Sequence, residues 1–226
     1  MREGGRPEKS GKISANMVQF FKEGQAEQEK FILGGGGMIL YHGSSTSGIR
    51  ILTPRQADHD RPYVYLTAME IVAGFYLINA AERPYYWFPY GFEKEGTVHY
   101  QEWYPNALKE AAEGKAGYIY VADAKEEDVL PLPNIPCARL STKPIQVTDC
   151  LEISDCYQWL LDQQQSGAFI LKRYADKTPE QIAFMHQNLV EYLCEKNMKE
   201  KPACSYAKFI QAKFPAVWDE YIKRGI

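Results

Sequence analysis

The chain has 226 residues, of which 45% are hydrophobic, so it can bury a sizeable core without disulfides or metals as staples. Its five cysteines are an odd number, with neither a CxxC pair nor histidines at metal spacing. This argues against a disulfide framework and a zinc site, and it fits a reducing compartment. No apolar run reaches the roughly 18 to 20 residues that span a bilayer, and the first residues lack the apolar core of a signal peptide. We therefore expect a soluble cytoplasmic protein.

The formal net charge of −3 is unevenly spread along the chain. Residues 38–171 contain ten Lys and Arg against seventeen Asp and Glu. An acidic core without a basic stripe argues against general nucleic-acid binding by counterion release.

Residues 1–37 differ from the rest of the chain, because they are polar and end in four consecutive glycines directly before Met38. Such a run is at least a flexible link. Two interpretations stay open. The segment is either a short amphipathic helix on a linker, or an upstream sequence translated in error, with Met38 rather than Met1 as the true start.

The segment from Met38 to Tyr76 organises the predicted fold. Ile39 to Tyr41 form an apolar strand that delivers His42 and Gly43 at its end. Tyr63 to Thr67 form a second strand that is rich in β-branched and aromatic residues, with Tyr65 on the face opposite Val64 and Leu66. From Ala68 the apolar residues recur at three and four positions, which predicts a helix of roughly three turns. Tyr65 and Tyr76 could then face one slot.

These residues resemble the ADP-ribosyltransferase superfamily, in particular its His-Tyr-Glu branch of poly-ADP-ribose polymerases, diphtheria toxin and rifampin ADP-ribosyltransferases. The resemblance rests on Tyr41-His42-Gly43-Ser44, on Val64-Tyr65-Leu66-Thr67 and on Tyr76, eleven residues after Tyr65. It implies NAD as the substrate, bound by His42, Gly43, Ser44, Tyr65 and Tyr76, and no metal. His42 would hydrogen-bond a ribose hydroxyl, the Gly43 backbone would hold the nicotinamide amide, and the two tyrosines would sandwich the nicotinamide ring.

Taken singly, the same residues have ordinary structural interpretations. A His-Gly pair at a strand end is commonly a turn, and a lone tyrosine is commonly part of a core. Their order in a strand-strand-helix context favours the functional interpretation.

The remaining elements follow in chain order. Pro54-Arg55, after a short strand at Gly48–Leu52, resembles a Pro-Arg pair of the rifampin enzymes. The aromatic run from Pro84 to Phe92 and the alternating stretch from Thr97 to Trp103 predict a hairpin, whose aromatic side chains either form packed core or in part line a substrate-facing wall. Further predicted elements are a helix at 105–113, a strand at 117–121, an acidic connection at 123–136, a strand at 140–147, a helix at 153–165 capped by Ser154, and an edge strand at 169–174.

From Thr178 onward the pattern is helical. Thr178-Pro179-Glu180-Gln181 is a helix N-terminal signature, and a further helical stretch from Ser205 to Lys223 is interrupted near Pro215. We expect these helices to pack on the core or on a partner subunit.

The third catalytic residue is the open question. A carboxylate should stabilise the oxocarbenium-like transition state, but the run where the polymerases carry their Glu reads Cys137-Ala138-Arg139-Leu140. Glu102 is the first candidate, because this region resembles bacterial members with Gln-Glu at that place. The rifampin enzymes instead place an Asp after the strand equivalent to 117–121, which points to Glu126, Glu127 or Asp128. The third option is a core without a catalytic acid.

The expected fold is therefore α+β, an ADP-ribosyltransferase-like core of two small, mostly antiparallel sheets packed face to face with flanking helices. The boundaries are a flexible segment at 1–37, the core at 38–174 and a helical C-terminal extension at 175–226. The expected activity is transfer of ADP-ribose from NAD to a protein, nucleic acid or small molecule, with His42, Tyr65 and Glu102 catalytic. The alternatives are a catalytically silent module that binds a nucleotide or protein, and an RNA 2′-phosphotransferase, which shares the fold but needs arginines around its His.

Overall fold

The computed structural model of the protein describes residues 37–56, 60–79, 90–132 and 135–224. The strands in these ranges are β1 (Met38–Ser44), β2 (Ile51–Leu52), β3 (Val64–Thr67), β4 (Tyr90–Phe92), β5 (Val98–Gln101), β6 (Gly117–Ala124), β7 (Leu130–Leu132), β8 (Ile135–Ser141), β9 (Ile145–Ile153) and β10 (Phe169–Lys172). The α-helices are α1 (Glu70–Asn79), α2 (Ala107–Ala112), α3 (Cys156–Gln165), α4 (Pro179–Glu195), α5 (Ser205–Lys213) and α6 (Pro215–Lys223). The expected N-terminal helix or false start, and most of the aromatic run before Tyr90, lie outside the described residues.

The strands form two sheets of unequal size. The larger is a seven-stranded antiparallel sheet of order β2-β9-β6-β1-β3-β8-β7, and the smaller has the order β10-β5-β4. The α+β class and the hairpin of β4 and β5 are thus confirmed. The expected pair of small sheets is replaced by one large sheet and a second, three-stranded one.

The large sheet opens between β1 and β3. β1 pairs with β6 along its whole length, from Met38↔Ala124 to Ser44↔Tyr118, but it pairs with β3 only at Tyr41↔Thr67. Beyond that pair the two strands diverge. The sheet therefore consists of two halves, β2-β9-β6-β1 and β3-β8-β7, that separate at the end of β1.

Helix α1 lies between β1 and the second sheet. A Cβ atom on Gly43 would lie 2.1 Å from the Ala73 carbonyl oxygen, so only glycine allows the helix to pack this closely on β1. On its other side Phe75 contacts the rings of Tyr90, Tyr100 and Phe169, at centroid distances of 5.7, 5.7 and 5.8 Å. α1 thus joins the two sheets.

The face of the large sheet opposite α1 carries a separate apolar cluster. Its members on the central strands include Leu40, Val64, Leu66 and Ala122. Since side chains alternate along a strand, Tyr65 points to the other face, as the sequence predicts.

The C-terminal helices dock on the core. Leu189, Leu193 and Phe214 belong to one buried cluster with Tyr104 and Ala107 of the core. This is one of the two packing arrangements that their apolar faces predicted. The capping box at Thr178 and the break at Pro215 are also confirmed.

Three local predictions are corrected. The expected strand at 140–147 is in fact the end of β8, a turn at 142–144 and the start of β9, and in the turn the Ser141 hydroxyl accepts from the Lys143 N–H and donates to the Lys143 carbonyl. Helix α3 is capped by Asp155 rather than Ser154, since its side chain accepts from the Gln158 N–H. The acidic connection contains a 3-10 turn at Glu126–Asp128 and the strand β7. No helix in the described ranges combines the length and apolar character needed to cross a membrane.

Candidate functional site

His42 stands where β1 and β3 separate. Its Nδ1 atom is 2.7 Å from the Tyr65 carbonyl oxygen. A carbonyl only accepts hydrogen bonds, so Nδ1 carries the proton and Nε2 is left as an acceptor. Burial lowers the pKa of His42 from its usual 6.5, the Tyr65 carbonyl acts in the opposite direction, and the charge of Arg55 lowers it further. His42 is therefore a neutral imidazole at pH 7, with Nε2 able to accept a hydrogen bond.

Arg55 brings positive charge to this opening. The Arg55 N–H donates to the Tyr63 carbonyl at 2.9 Å, and the Tyr63 N–H donates to the Arg55 carbonyl at 3.1 Å. Arg55 is otherwise exposed. The Tyr63 ring in turn meets the Tyr65 ring edge to face at 6.4 Å. The opening therefore combines a neutral histidine, a tyrosine pair and a cation, which is a setting that favours an anionic ligand.

Gly43 and Ser44 follow His42 in different surroundings. Gly43 packs directly against α1 at the Ala73 carbonyl. The Ser44 hydroxyl accepts from the Thr46 N–H at 3.1 Å and so supports the turn after β1. The expected NAD contact of Ser44 stays a prediction.

Tyr76 lies in the last part of α1, and 38% of its surface is exposed. Its hydroxyl is hydrogen-bonded to that of Tyr90, and burial raises its pKa. Strand alternation places Leu40 and His42 on one face of the large sheet, and Tyr65 and α1 on the other. A ligand that touches His42, Tyr65 and Tyr76 together must therefore occupy the opening between β1 and β3.

Glu102 lies apart from this opening. It directly follows β5, in the second sheet, on the other side of α1 from β1. It is 3% exposed, and its two oxygens accept from the N–H groups of Leu108 and Tyr174 at 3.2 and 3.1 Å. This geometry holds α2 and the chain after β10 in place, so it favours a structural role for Glu102.

The acidic turn follows β6 directly after Ala124, whose register partner is Met38 at the start of β1. Glu126 and Glu127 are exposed, and Asp128 forms an ion pair with Lys143. Val129, the next residue, packs in the apolar cluster that contains Leu40.

Strand β8, which contains the run Cys137-Ala138-Arg139-Leu140, neighbours β3. There Cys137 is buried, its thiol is hydrogen-bonded to the Thr67 side chain, and burial raises its pKa. The thiol is therefore neutral and supplies no negative charge. Among the described residues, no three His, Cys, Asp or Glu side chains are grouped to hold a metal ion.

The sequence indicated these neighbours only indirectly: Cys137 in the run set against the polymerase acid, Tyr90 within an aromatic run and Arg55 within a Pro-Arg pair. Which of them lie near His42, Tyr65 and Tyr76 depends on long-range packing and has no local signature. A scan against family models, a search of curated proteins and a search of solved structures each gave no match to the chain.

Proposed function

We propose that the protein binds NAD at the opening between β1 and β3 and acts as an ADP-ribosyltransferase. The observation that carries this proposal is the bond from His42 Nδ1 to the Tyr65 carbonyl, just beyond Tyr41↔Thr67, the single register pair of the two strands. It fixes the imidazole plane and leaves Nε2 to accept a hydrogen bond from a ribose hydroxyl.

The other residues would contact separate parts of the ligand. The Gly43 backbone would hold the nicotinamide amide, and the rings of Tyr65 and Tyr76 would stack on nicotinamide, each contact worth about 0.5 to 1.5 kcal/mol beyond area burial. Arg55 would offset the negative charge of the pyrophosphate. In the reaction the bond between nicotinamide and ribose C1′ breaks and nicotinamide leaves with the electron pair. The acceptor then bonds to C1′ and releases its proton to solvent.

By elimination the remaining candidate for the carboxylate is the turn Glu126–Asp128, which follows Ala124, the register partner of Met38, and so comes after the end of β1 opposite to His42. Both oxygens of Glu102 already bind backbone N–H groups, and β8 offers a neutral thiol at Cys137. The turn is followed by Val129, which packs on the face of Leu40. A position after β6 is also where the resemblance to the rifampin enzymes would place the acid.

Both oxygens of Glu102 are hydrogen-bonded to backbone N–H groups, and Cys137 is a neutral thiol. Because neither supplies a free carboxylate, these observations also favour a second candidate, a silent module that binds NAD or another nucleotide without cleaving it. The two candidates share the binding site and differ only in turnover.

The test is to mix purified protein with NAD and to measure binding by calorimetry and free nicotinamide by chromatography. Arg55→Ala should weaken binding, since it removes the cation at the opening, while Arg50→Ala is the matched control that removes an equal charge five positions earlier. Binding with nicotinamide release supports the enzyme, and binding without release for any acceptor supports the silent module. Absence of binding in the parent protein, or equal effects of the two arginine variants, would overturn the proposed site.

A further inference from the structure

Tyr76 combines a hydrogen-bonded hydroxyl with a partly solvent-exposed side chain. More than a third of its surface is exposed, yet its hydroxyl is bonded to Tyr90, and burial is the main reason why its pKa is raised. The protein therefore encloses the hydroxyl end, and the exposed surface belongs mainly to the ring. A tyrosine held at its tip is a suitable platform for stacking, because little side-chain freedom remains to be lost when a ligand binds.

Tyr90 is a rigid anchor for that hydroxyl. It lies in β4 and is 8% exposed, with its ring stacked on Phe75 at 5.7 Å and 24°. Phe92 meets the same ring edge to face at 6.1 Å. Burial raises the pKa of Tyr90 far above its ordinary value, so the hydroxyl keeps its proton over the physiological pH range.

The two hydroxyls also lie near Cys137. The thiol influences the ionisation of both tyrosines and is itself hydrogen-bonded to Thr67. Phe75 of α1, Tyr90 of β4 and Cys137 of β8 belong to one buried cluster. Of these three residues, Tyr90 supplies the hydrogen bond to the Tyr76 hydroxyl.

We infer that Tyr90 is a positioning residue, whose hydroxyl holds the Tyr76 ring at a fixed orientation for stacking on the nicotinamide ring. The inference rests on the proposed function for the identity of the ligand. It assigns the second sheet a role in ligand affinity, although that sheet lies on the far side of α1 from His42.

The chain offers a matched pair of variants for the test. Tyr90→Phe removes only the anchoring hydroxyl. Tyr100→Phe makes the same change on the register partner of Tyr90, whose ring packs on Phe75 at the same centroid distance of 5.7 Å but whose hydroxyl is influenced by Tyr104 and Glu102. Thermal melting of each variant checks that the fold is retained.

The first measurement needs no ligand. In protein with ¹³C-labelled tyrosine rings, the Tyr76 resonance is identified by its loss in Tyr76→Phe. In Tyr90→Phe it should shift and change in width, whereas in Tyr100→Phe it should stay as in the parent. An unchanged Tyr76 resonance in Tyr90→Phe, or an equal change in both variants, would overturn the anchor.

The second measurement is NAD affinity. A neutral hydrogen bond contributes about 0.5 to 1.5 kcal/mol, so Tyr90→Phe should weaken NAD binding about two- to tenfold. The KM for NAD should rise by a similar factor and kcat should be little changed, because Tyr90 does not touch the reacting atoms. Tyr76→Phe removes the same bond from its other end, and the double variant should bind no more weakly than either single variant.

The outcomes separate the two proposals. If the parent binds NAD but Tyr90→Phe binds it equally well, the positioning role is wrong and the proposed function stands. If the single effects add in the double variant, the two hydroxyls act independently and the inference also fails. If the parent binds no NAD, the proposed function and the ligand assignment fail together, and the resonance alone decides whether Tyr90 anchors Tyr76.

Discussion

Glu102→Gln distinguishes a structural carboxylate from a catalytic one. In the native protein each oxygen of Glu102 accepts one backbone N–H, at 3.2 Å from Leu108 and 3.1 Å from Tyr174. Glutamine keeps one acceptor oxygen and turns an NH₂ group toward the other N–H. The variant loses one hydrogen bond to a carboxylate, about 1.5 to 3 kcal/mol, and leaves one N–H without an acceptor in a buried place. We expect the free energy of unfolding to fall by about 2 to 4 kcal/mol, which for a chain of this size lowers the Tm by roughly 5 to 15 °C.

Thermal melting followed by circular dichroism measures the loss, and nicotinamide release per folded molecule is measured well below the melting range. Glu113→Gln is the control, since Glu113, the residue after α2, is exposed and forms a surface ion pair with Lys109 of α2. It should change the Tm by no more than about 1 to 2 °C. If Glu102→Gln keeps the parental Tm while turnover falls by two to three orders of magnitude, the structural reasoning is wrong and Glu102 is the catalytic acid.

The remaining predictions concern the pH dependence, a helix cap and the C-terminal extension. Because burial, with a smaller effect of the Arg55 charge, holds the pKa of folded His42 below 6.5, its contribution to stability and to NAD binding is complete above about pH 6.5 and decreases at lower pH, as the buried imidazole gains a proton. His42→Asn should remove this part of the pH profile, and an unchanged profile would contradict the assignment. Asp155→Ala should cost about 1 to 2 kcal/mol in urea unfolding, because it removes the cap of α3; no measurable loss would show that the cap is not needed. Deletion of residues 178–226 should cause aggregation by exposing Tyr104 and the apolar surface around it, and a soluble, monomeric product in light scattering would refute this.

The sequence alone determined most of the local elements. The β-branched and aromatic run before Ala68 and the change to helical spacing after it identified β3 and α1, and Thr178 with Gln181 marked the start of α4. These features follow from contacts between residues a few positions apart, so local patterns are sufficient to predict them. The turn at Ser141 could also have been recognised, because Ser, Thr, Lys and Pro in succession are typical of a turn.

The tertiary structure alone decided which groups meet at the site. His42 reaches the Tyr65 carbonyl because β1 and β3, which are 23 residues apart at this bond, form one register pair and then diverge. The two oxygens of Glu102 are engaged because the fold brings the N–H groups of Leu108 and of Tyr174, 72 positions away in the chain, against them. A residue's type shows what chemistry it can supply. Whether its polar atoms are already engaged depends on long-range packing, which has no local signature in the sequence.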